Sequence, residues 1–291
     1  MSFELPPINI PELLRQHGLR PDKRLGQNYL TDHAILKRVT ATAEIQPQDC
    51  VLEIGAGPGN LTRFLAAQAR RVVAVELDER VLPALRQVLA PFDNVEVIHA
   101  DILQVNPAGL FPAEEHPAGY LVVANIPYYI TSVVIRHLLE APLQPRRMIL
   151  TIQQEVAERI CAAPGDLSLL ALSIQVYGKP ELVLRIPASA FYPAPQVDSA
   201  VLRIELYPQP RIEPALVDTF FKLIKAGFSQ KRKTLRNSLA GGLHISTVDA
   251  EALLLHARVD PQRRAETLSL EEWQQLCRVY AGYIQPNTNG A

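Results

Sequence analysis

The four residues Asn125-Ile126-Pro127-Tyr128 carry groups that can hold a flat base with an exocyclic amino group. The amide oxygen of Asn125 and the carbonyl of Pro127 can each accept an N–H, and the ring of Tyr128 can stack on the base. The motif follows the apolar run 120–124, which predicts a buried strand ending in a loop. Ligands of open α/β sheets bind outside the carboxyl ends of the strands, so this loop is expected to line a crevice. Taken alone, the motif is explained better by a strand-to-helix turn in which Asn125 caps a helix and Tyr128 packs inside.

A glycine-rich turn further upstream changes this balance. Gly55, Gly57 and Gly59 alternate directly after the mostly apolar run 50–54, which predicts a buried strand. The dinucleotide fingerprint needs its third glycine at position 60, where this chain has Asn60. The turn therefore favours a ligand that the backbone approaches closely and that lacks a diphosphate. A structural tight turn explains such a motif about as often.

Two acids follow the next two predicted strands. Glu76 ends the run 71–76, where a carboxylate can accept both hydroxyls of a ribose, and Asp101 follows the run 95–99, where it can accept an adenine amino group. Each acid alone is most simply a helix N-cap. Together with the glycine turn they describe an adenosine-containing ligand without a phosphate site, and S-adenosylmethionine fits that description.

A sulfonium methyl donor beside Asn125 makes the predicted chemistry specific. An adenine amino group is a poor nucleophile because its lone pair is delocalised into the ring. Acceptors on its two N–H bonds favour a pyramidal nitrogen whose lone pair points at the methyl group. Such a site works mainly by orientation and electrostatic preorganisation, and no strong base is required.

The elements that must position these residues alternate between strands and helices. Strands are predicted at 50–54, 71–76, 95–99, 120–124, 147–153, 181–186 and 197–206. Helices are predicted at 31–43, before the first strand, and at 60–69, 79–89, 131–140 and 167–177, between later ones. This alternation predicts a mostly parallel sheet, closed at one edge by an antiparallel hairpin.

After residue 210 only helical patterns remain, at 214–228, 231–239, 248–256 and 270–282. A domain boundary is therefore expected near 207–212. The capping box Ser269-x-x-Glu272 opens the last of these helices.

Composition limits the class of protein. The chain has 291 residues, is 48% hydrophobic and carries a net charge of −1, but the range 211–240 holds 7 basic and 2 acidic residues. Such a local basic cluster is a plausible footprint for nucleic acid. The 3 cysteines and 7 histidines show no disulfide or metal-ligand spacing, and no membrane span or signal peptide is recognisable. A cytoplasmic protein without a metal is expected.

Six motifs in order resemble one known family. They are 25–30 (LGQNYL), 55–60 (GAGPGN), 125–128 (NIPY), 191–199 (FYPAPQVDS), 228–239 (FSQKRKTLRNSL) and 264–269 (RAETLS). Together they are similar to the bacterial small-subunit (16S) ribosomal RNA adenine N6,N6-dimethyltransferase family (KsgA type). The resemblance spans roughly 20–282. Mild departures are Tyr29, where phenylalanine is more usual, and the run 231–233 (KRK), where a pair of arginines is common.

The resemblance implies a fold, a reaction and a set of roles. It implies an α/β, Rossmann-like class I methyltransferase domain over residues 1–207 and a helical RNA-binding domain over 208–291. The implied reaction methylates two adjacent adenines in the 3′-terminal hairpin loop of 16S rRNA, in an immature 30S subunit, by a monomeric enzyme. The implied donor contacts are Asn28, Leu30, Gly55, Gly57, Glu76, Asp101 and Asn125. The target adenine would lie between Tyr128 and Phe191, with Pro127 as an acceptor, and the RNA contacts would be Lys225, Lys231, Arg232, Lys233 and Arg236.

Three alternatives stay open from the sequence. The first is a related enzyme that methylates an adenine of large-subunit RNA, and the long basic helical segment argues against it. The second is an RNA-binding assembly or transcription factor with a vestigial methylation site, which the intact set of site residues disfavours. The third is a small-molecule methyltransferase, which has no use for the charge at 211–240. The basic run itself could also be an ordinary solvated helix face.

Overall fold

The computed structural model describes residues 5–111 and 119–284, and of Ile284 only the backbone. The chain divides into two compact units. The first contains Met1–Ala157 and Pro180–Leu206, and the second contains Glu158–Lys179 and Tyr207–Ala291. The segment 158–179 therefore packs with the C-terminal residues, although it precedes the last strands of the sheet.

A central sheet forms the framework of the first unit. Its strands, in chain order, are β2 (Cys50–Ile54), β3 (Arg71–Glu76), β4 (Val95–His99), β5 (Leu121–Asn125), β6 (Arg147–Gln153), β7 (Gly178–Ile186) and β9 (Ser199–Leu206). They are arranged β4-β3-β2-β5-β6-β9-β7. Pairing is parallel from β4 through β6, and β9 then runs antiparallel to β6. The order reverses between β2 and β5, which is the switch point where α/β sheets bind ligands.

The central parallel strands are apolar because both of their faces are covered, whereas the edge strand β4 is partly exposed. Strands β2 and β5 are nearly continuous buried runs, typical of a sheet with helices on each side. The covering helices are α2 (His33–Thr42), α3 (Thr62–Ala66), α4 (Leu82–Leu89) and α5 (Thr131–Leu139), preceded by α1 (Ile10–Gln16). Helix α6 (Gln154–Ile160) follows β6 along the chain.

A small second sheet joins two distant parts of the chain. Strand β1 (Tyr29–Leu30) pairs antiparallel with β8 (Phe191–Tyr192), with Tyr29 opposite Tyr192 and Leu30 opposite Phe191. Asn60, in the position where a dinucleotide site has glycine, donates from its side chain to the Leu30 carbonyl at 2.9 Å. The glycine turn is thereby tied to the segment that carries Asn28.

The second unit is helical. Its helices are α7 (Leu169–Gln175), α8 (Val217–Gly227), α9 (Leu235–Leu243), α10 (Thr247–His256) and α11 (Leu270–Ile284). Trp273 of α11 is fully buried and stacks on Phe228, with ring centroids 5.8 Å apart. The predicted capping box forms: the Ser269 N–H donates to Glu272 at 2.7 Å, and the Glu272 N–H donates to the Ser269 hydroxyl at 3.2 Å.

The predicted fold class is confirmed, with shifts at element ends. One shift matters for charge: the helix predicted at 231–239 begins at Leu235, and residues 231–233 lie in the turn before it. The Leu235 N–H donates to the Arg263 carbonyl at 2.7 Å, so this helix begins where its first turn meets another loop. The sequence did not predict α6, whose seven residues directly continue β6.

Candidate functional site

A cleft opens at the carboxyl ends of β2, β3 and β5 in the first unit. Eight of the residues predicted for the site line it, and they are Asn28, Gly55, Gly57, Glu76, Asp101, Asn125, Pro127 and Tyr128. They come from five separate stretches of the chain and meet because parallel strands end at the same edge of the sheet. The predicted convergence of the glycine turn, the two acids and the NIPY loop is therefore observed.

The glycine turn and Glu76 form one unit. Glu76 is 6% exposed, and its Oε2 accepts from the Gly57 N–H at 2.6 Å while its Oε1 accepts from the Asp78 N–H at 2.8 Å. Burial raises the pKa of Glu76, against the effect of these backbone donors. Each carboxylate oxygen keeps a lone pair, so the two together can still accept a vicinal diol.

Gly57 cannot carry a side chain in this arrangement. Its φ is +55°, and a Cβ there would lie 2.8 Å from Cε1 of Tyr29. The missing side chain leaves the backbone open on the cleft side, so a ligand can approach the turn closely.

Asp101 has two roles at once. Its Oδ1 caps the short 3₁₀ turn Ile102–Gln104 by accepting from the Leu103 N–H at 3.0 Å. The helix-cap interpretation weighed in the sequence is therefore correct for one oxygen. Asp101 also lines the cleft, and its other oxygen is available to accept from a ligand amino group.

The side chain of Asn125 is oriented by a distant segment. Its Nδ2 donates to the Asn28 carbonyl at 2.8 Å, and Asn28 in turn donates to the Gly26 carbonyl at 3.2 Å. Because the amide nitrogen is engaged, the amide oxygen is the atom left to accept from a ligand. An acceptor at this position suits an exocyclic amino group.

Tyr128 is held through its hydroxyl. The phenol oxygen lies 2.7 Å from the hydroxyl of Ser199, a fully buried residue at the start of β9. Burial raises the pKa of Tyr128. Tyr128 lines the cleft, and the hydroxyl contact fixes the direction of its ring.

Pro127, Leu30 and Phe191 are not placed as the sequence predicted. Pro127 lines the cleft, but its carbonyl already accepts from the Ile130 N–H at 3.1 Å, and the neighbouring Ile126 also lines the cleft. Leu30 and Phe191, each 4% exposed, lie in the hydrophobic core and are not among the residues that line the cleft. They face each other across the β1–β8 pair, which the sequence did not predict.

A polar network beside the cleft was not predicted from the sequence. Gln27 Nε2 donates to Asp78 at 2.8 Å, and Gln27 Oε1 accepts from the Asp22 N–H at 2.7 Å. Arg80 bridges the two acids, with 2.7 Å to Asp78 and 3.3 Å to Asp22. This network fixes the segment that carries Asn28 against the end of β3. Its only signal in the sequence is an acid two positions after Glu76.

The charged residues in the described lining of the cleft are all acidic. Its described lining includes the carboxylates of Glu76 and Asp101 and contains no lysine or arginine. A diphosphate would find no cation there, whereas a sulfonium cation with a ribose and an adenine would find acceptors for each part. The residues present therefore fit S-adenosylmethionine.

The five predicted RNA contacts lie in the second unit. Lys225 is exposed near the end of α8, and Lys231, Arg232 and Lys233 are exposed in the turn before α9. Arg236 differs because it is half-buried and paired with Glu251 at 3.1 Å. The exposed positive charge of this turn thus comes from residues 231–233, without Arg236.

Neither a metal-binding cluster nor a membrane-spanning helix occurs in the part of the chain that the structure describes. Within residues 5–111 and 119–284, no cluster of three or more His, Cys, Asp or Glu side chains could hold a metal ion. Over the same ranges, no helix has the length and apolar character needed to cross a membrane.

Comparisons with known proteins agree with this geometry. Residues 18–281 match the family model "Ribosomal RNA adenine dimethylase". The chain is 46% identical over 272 residues to Ribosomal RNA small subunit methyltransferase A of Dehalococcoides mccartyi, covering 93% of this chain and 92% of the relative.

Two solved structures are similar to most of the chain. The 23S rRNA methyltransferase ErmE has 31% identity and a TM-score of 0.70, over 87% of this chain and 99% of its own. A dimethyladenosine transferase from Plasmodium falciparum has a TM-score of 0.74 at 24% identity, over 87% of this chain and 98% of its own, and at that identity supports the fold. The chain belongs to the ribosomal RNA adenine dimethylase family, enzymes that methylate RNA adenine with S-adenosylmethionine.

Proposed function

We propose that this enzyme transfers methyl groups from S-adenosylmethionine to the N6 amino groups of two adjacent adenines in the 3′-terminal hairpin loop of 16S rRNA. The reaction is placed in the cytoplasm, on an immature 30S subunit, and a monomer carries it out. The observation that supports this proposal best is the cleft itself: an amide acceptor and an aromatic ring face two acids and a glycine turn, with no cation in the described lining.

The donor end of the site consists of the turn and the acids. Glu76 accepts the ribose hydroxyls while it holds the Gly57 N–H, and Asp101 accepts the adenine amino group with the oxygen that does not cap the 3₁₀ turn. Asn28 presents its backbone to the methionine end and orients Asn125. The bound donor supplies an electrophilic methyl group on a sulfonium centre.

The target end orients a weak nucleophile. The Asn125 amide oxygen accepts one N–H of the adenine amino group, and a carbonyl of Pro127 or Ile126 accepts the other. Both contacts favour a pyramidal nitrogen with its lone pair directed at the methyl group, so orientation lowers the barrier. The proton lost after methyl transfer becomes acidic once the nitrogen carries positive charge, and no buried base is required.

Tyr128 supplies the stacking face for the target base. Its ring direction is fixed by Ser199, which lowers the entropy lost when a base binds. Phe191 would have to leave the core to form the second face of a sandwich, and moving such a ring into water costs about 2 kcal/mol. We therefore assign direct stacking to Tyr128 and give Phe191 the role of supporting the β1–β8 pair.

The second unit supplies electrostatic affinity. Lys225 and the cations at 231–233 are placed in one exposed region, and each phosphate contact that they make releases a counterion. Arg236, paired with Glu251, contributes less to this contact. A steep salt dependence of RNA binding is expected from such a cluster.

One variant pair tests the assignment of the cleft. Glu76→Ala removes the diol acceptor and the Gly57 contact, so donor binding measured by calorimetry should be lost. Asn125→Ala should remove turnover while RNA affinity is largely kept. Undiminished methyl transfer by either variant would refute the site, and circular dichroism of both variants controls for misfolding.

The choice of RNA needs its own experiment because the 31% identity to a 23S rRNA methyltransferase supports a second candidate target. Undermethylated small subunits and protein-free large-subunit RNA should be offered separately with labelled donor. We expect label only in the small-subunit RNA, on two neighbouring adenines. Label in large-subunit RNA alone would establish the other target.

A further inference from the structure

Tyr129, the residue after Tyr128, is an aromatic side chain that the proposed reaction does not use. It is 61% exposed, although it also lines the cleft. Large exposed aromatic rings at the rim of a binding site usually have a partner, since water contacts their apolar faces unfavourably.

The position of this ring is fixed. Gly26 lies so close that a Cβ there would be 3.1 Å from Cε1 of Tyr129 and 3.3 Å from Cβ of Pro127. Gly26 has a φ of +64°, so the glycine both turns the chain and makes room for the ring. The backbone is fixed by the Ile130 N–H, which donates to the Pro127 carbonyl at 3.1 Å. One edge of the ring thus rests on Gly26, and most of the ring is open to solvent.

Two cations precede Gly26 in the short 3₁₀ turn Lys23–Leu25. Lys23 is exposed, and no ion pair to it is found among residues 5–111 and 119–284. Arg24 is 87% exposed and pairs with Asp22 at 2.9 Å. Lys23 thus lies three positions before the glycine that packs against the ring. An aromatic ring with a free cation nearby is the combination by which proteins hold single-stranded nucleic acid.

We propose that Tyr129 is the stacking platform for the nucleobase next to the target adenine, with the phosphate between the two nucleotides facing Lys23. This inference rests on the proposed function. When one adenine is drawn into the cleft, its neighbour loses a stacking partner, and Tyr129 replaces it at the rim. The occupant is a nucleobase because Tyr129 belongs to the target side of the cleft, on the loop of Asn125 and Tyr128, and not to the side of the two acids.

The test uses a loop RNA oligonucleotide with 2-aminopurine beside the target adenine, and undermethylated small subunits for kinetics. Stacking on Tyr129 should keep the 2-aminopurine fluorescence quenched when the wild-type enzyme binds and draws the adjacent adenine out of the stack. Tyr129→Ala should leave the fluorescence unquenched and raise the KM for small subunits about tenfold, since base stacking on an aromatic ring is worth about this much. Tyr129→Phe, which keeps the ring, should restore both.

A double change separates stacking from a loss of fold. In small subunits whose neighbouring adenine is replaced by an abasic site, Tyr129→Ala should cost little further, because its stacking partner is already absent. Equal losses on both substrates would overturn the proposal, as would a loss of donor affinity with an unchanged KM for the RNA. If wild-type enzyme methylates neither substrate while it binds the donor, the proposed function fails instead, so the two failures are distinguishable.

Discussion

The contact between Tyr128 and Ser199 predicts a coupled effect on stability and catalysis. The two hydroxyl oxygens are 2.7 Å apart, and Ser199 is fully buried. Tyr128→Phe leaves the Ser199 hydroxyl without this partner in the interior, which should cost roughly 1–3 kcal/mol of unfolding free energy. Ser199→Ala leaves the hydroxyl of the half-buried Tyr128 without this partner, and this should lower the unfolding free energy by about 1 kcal/mol.

The double variant distinguishes the contact from two independent losses. With both hydroxyls removed, neither is left unsatisfied, so the double variant should be less destabilised than the sum of the single variants by about 1 kcal/mol. Urea unfolding of the wild type and the three variants measures this coupling.

Catalysis should follow the same pattern. The phenyl ring of Tyr128→Phe still stacks, but it has lost the contact that fixes its direction. A misorientation that costs about 1 kcal/mol of transition-state stabilisation lowers kcat/KM roughly fivefold. We expect this loss in each single variant and little further loss in the double variant, measured with labelled donor and undermethylated small subunits.

Tyr120→Phe is the matched control. Its hydroxyl likewise has a partner, because it donates to the Leu143 carbonyl at 3.2 Å, and its side chain is fully buried but does not line the cleft. This change should lower stability without lowering kcat/KM. Additive effects of Tyr128→Phe and Ser199→Ala on both stability and kcat/KM would refute the coupling.

Three further predictions concern a buried carboxyl group, a crowded glycine and two exposed lysines. Burial, and after it the nearby charge of Glu76, raises the pKa of Glu53 to about 8 from 4.5. The protonated carboxyl of Glu53 therefore stabilises the folded state, fully below about pH 4.5 and progressively less as the pH rises through about 8. In urea titrations, the wild type should lose up to roughly 5 kcal/mol of unfolding free energy over this pH range, and Glu53→Gln should not show this loss. Parallel pH profiles of variant and wild type would show that Glu53 is ionised in the folded state. Gly57→Ala should weaken donor binding at least about tenfold, because its Cβ would be 2.8 Å from the Tyr29 ring at a φ of +55°, whereas Gly109→Ala, with open space around it, should bind normally in the same calorimetric assay. Changing Lys231 and Lys233 to glutamine should reduce the slope of log affinity against log salt by up to about 1.4 for single-stranded RNA, whereas an unchanged slope would place the RNA elsewhere.

Much of the framework could be predicted because it depends on local patterns. The runs 50–54, 71–76 and 147–153 became strands with the same limits, since a strand covered on both faces is mostly apolar along its length. The run 95–99 also kept its limits, at the partly exposed edge of the sheet. The glycine turn, the two acids and the NIPY loop follow strand ends, so a parallel sheet necessarily gathers them at one edge. The basic cluster at 211–240 was also predicted, since the number of charged residues in a stretch of sequence does not depend on folding.

The tertiary structure alone decided how those groups are held. Asn125 is oriented by a carbonyl 97 residues away, and Tyr128 by a hydroxyl 71 residues away. Sequence periodicity reports only on near neighbours, so it cannot indicate such partners. The burial of Phe191 follows from the β1–β8 pairing, and the loss of Arg236 from the free cations follows from Glu251 on the next helix. The sequence thus determined which groups meet at the cleft, and long-range contacts determined which of their atoms remain free to act.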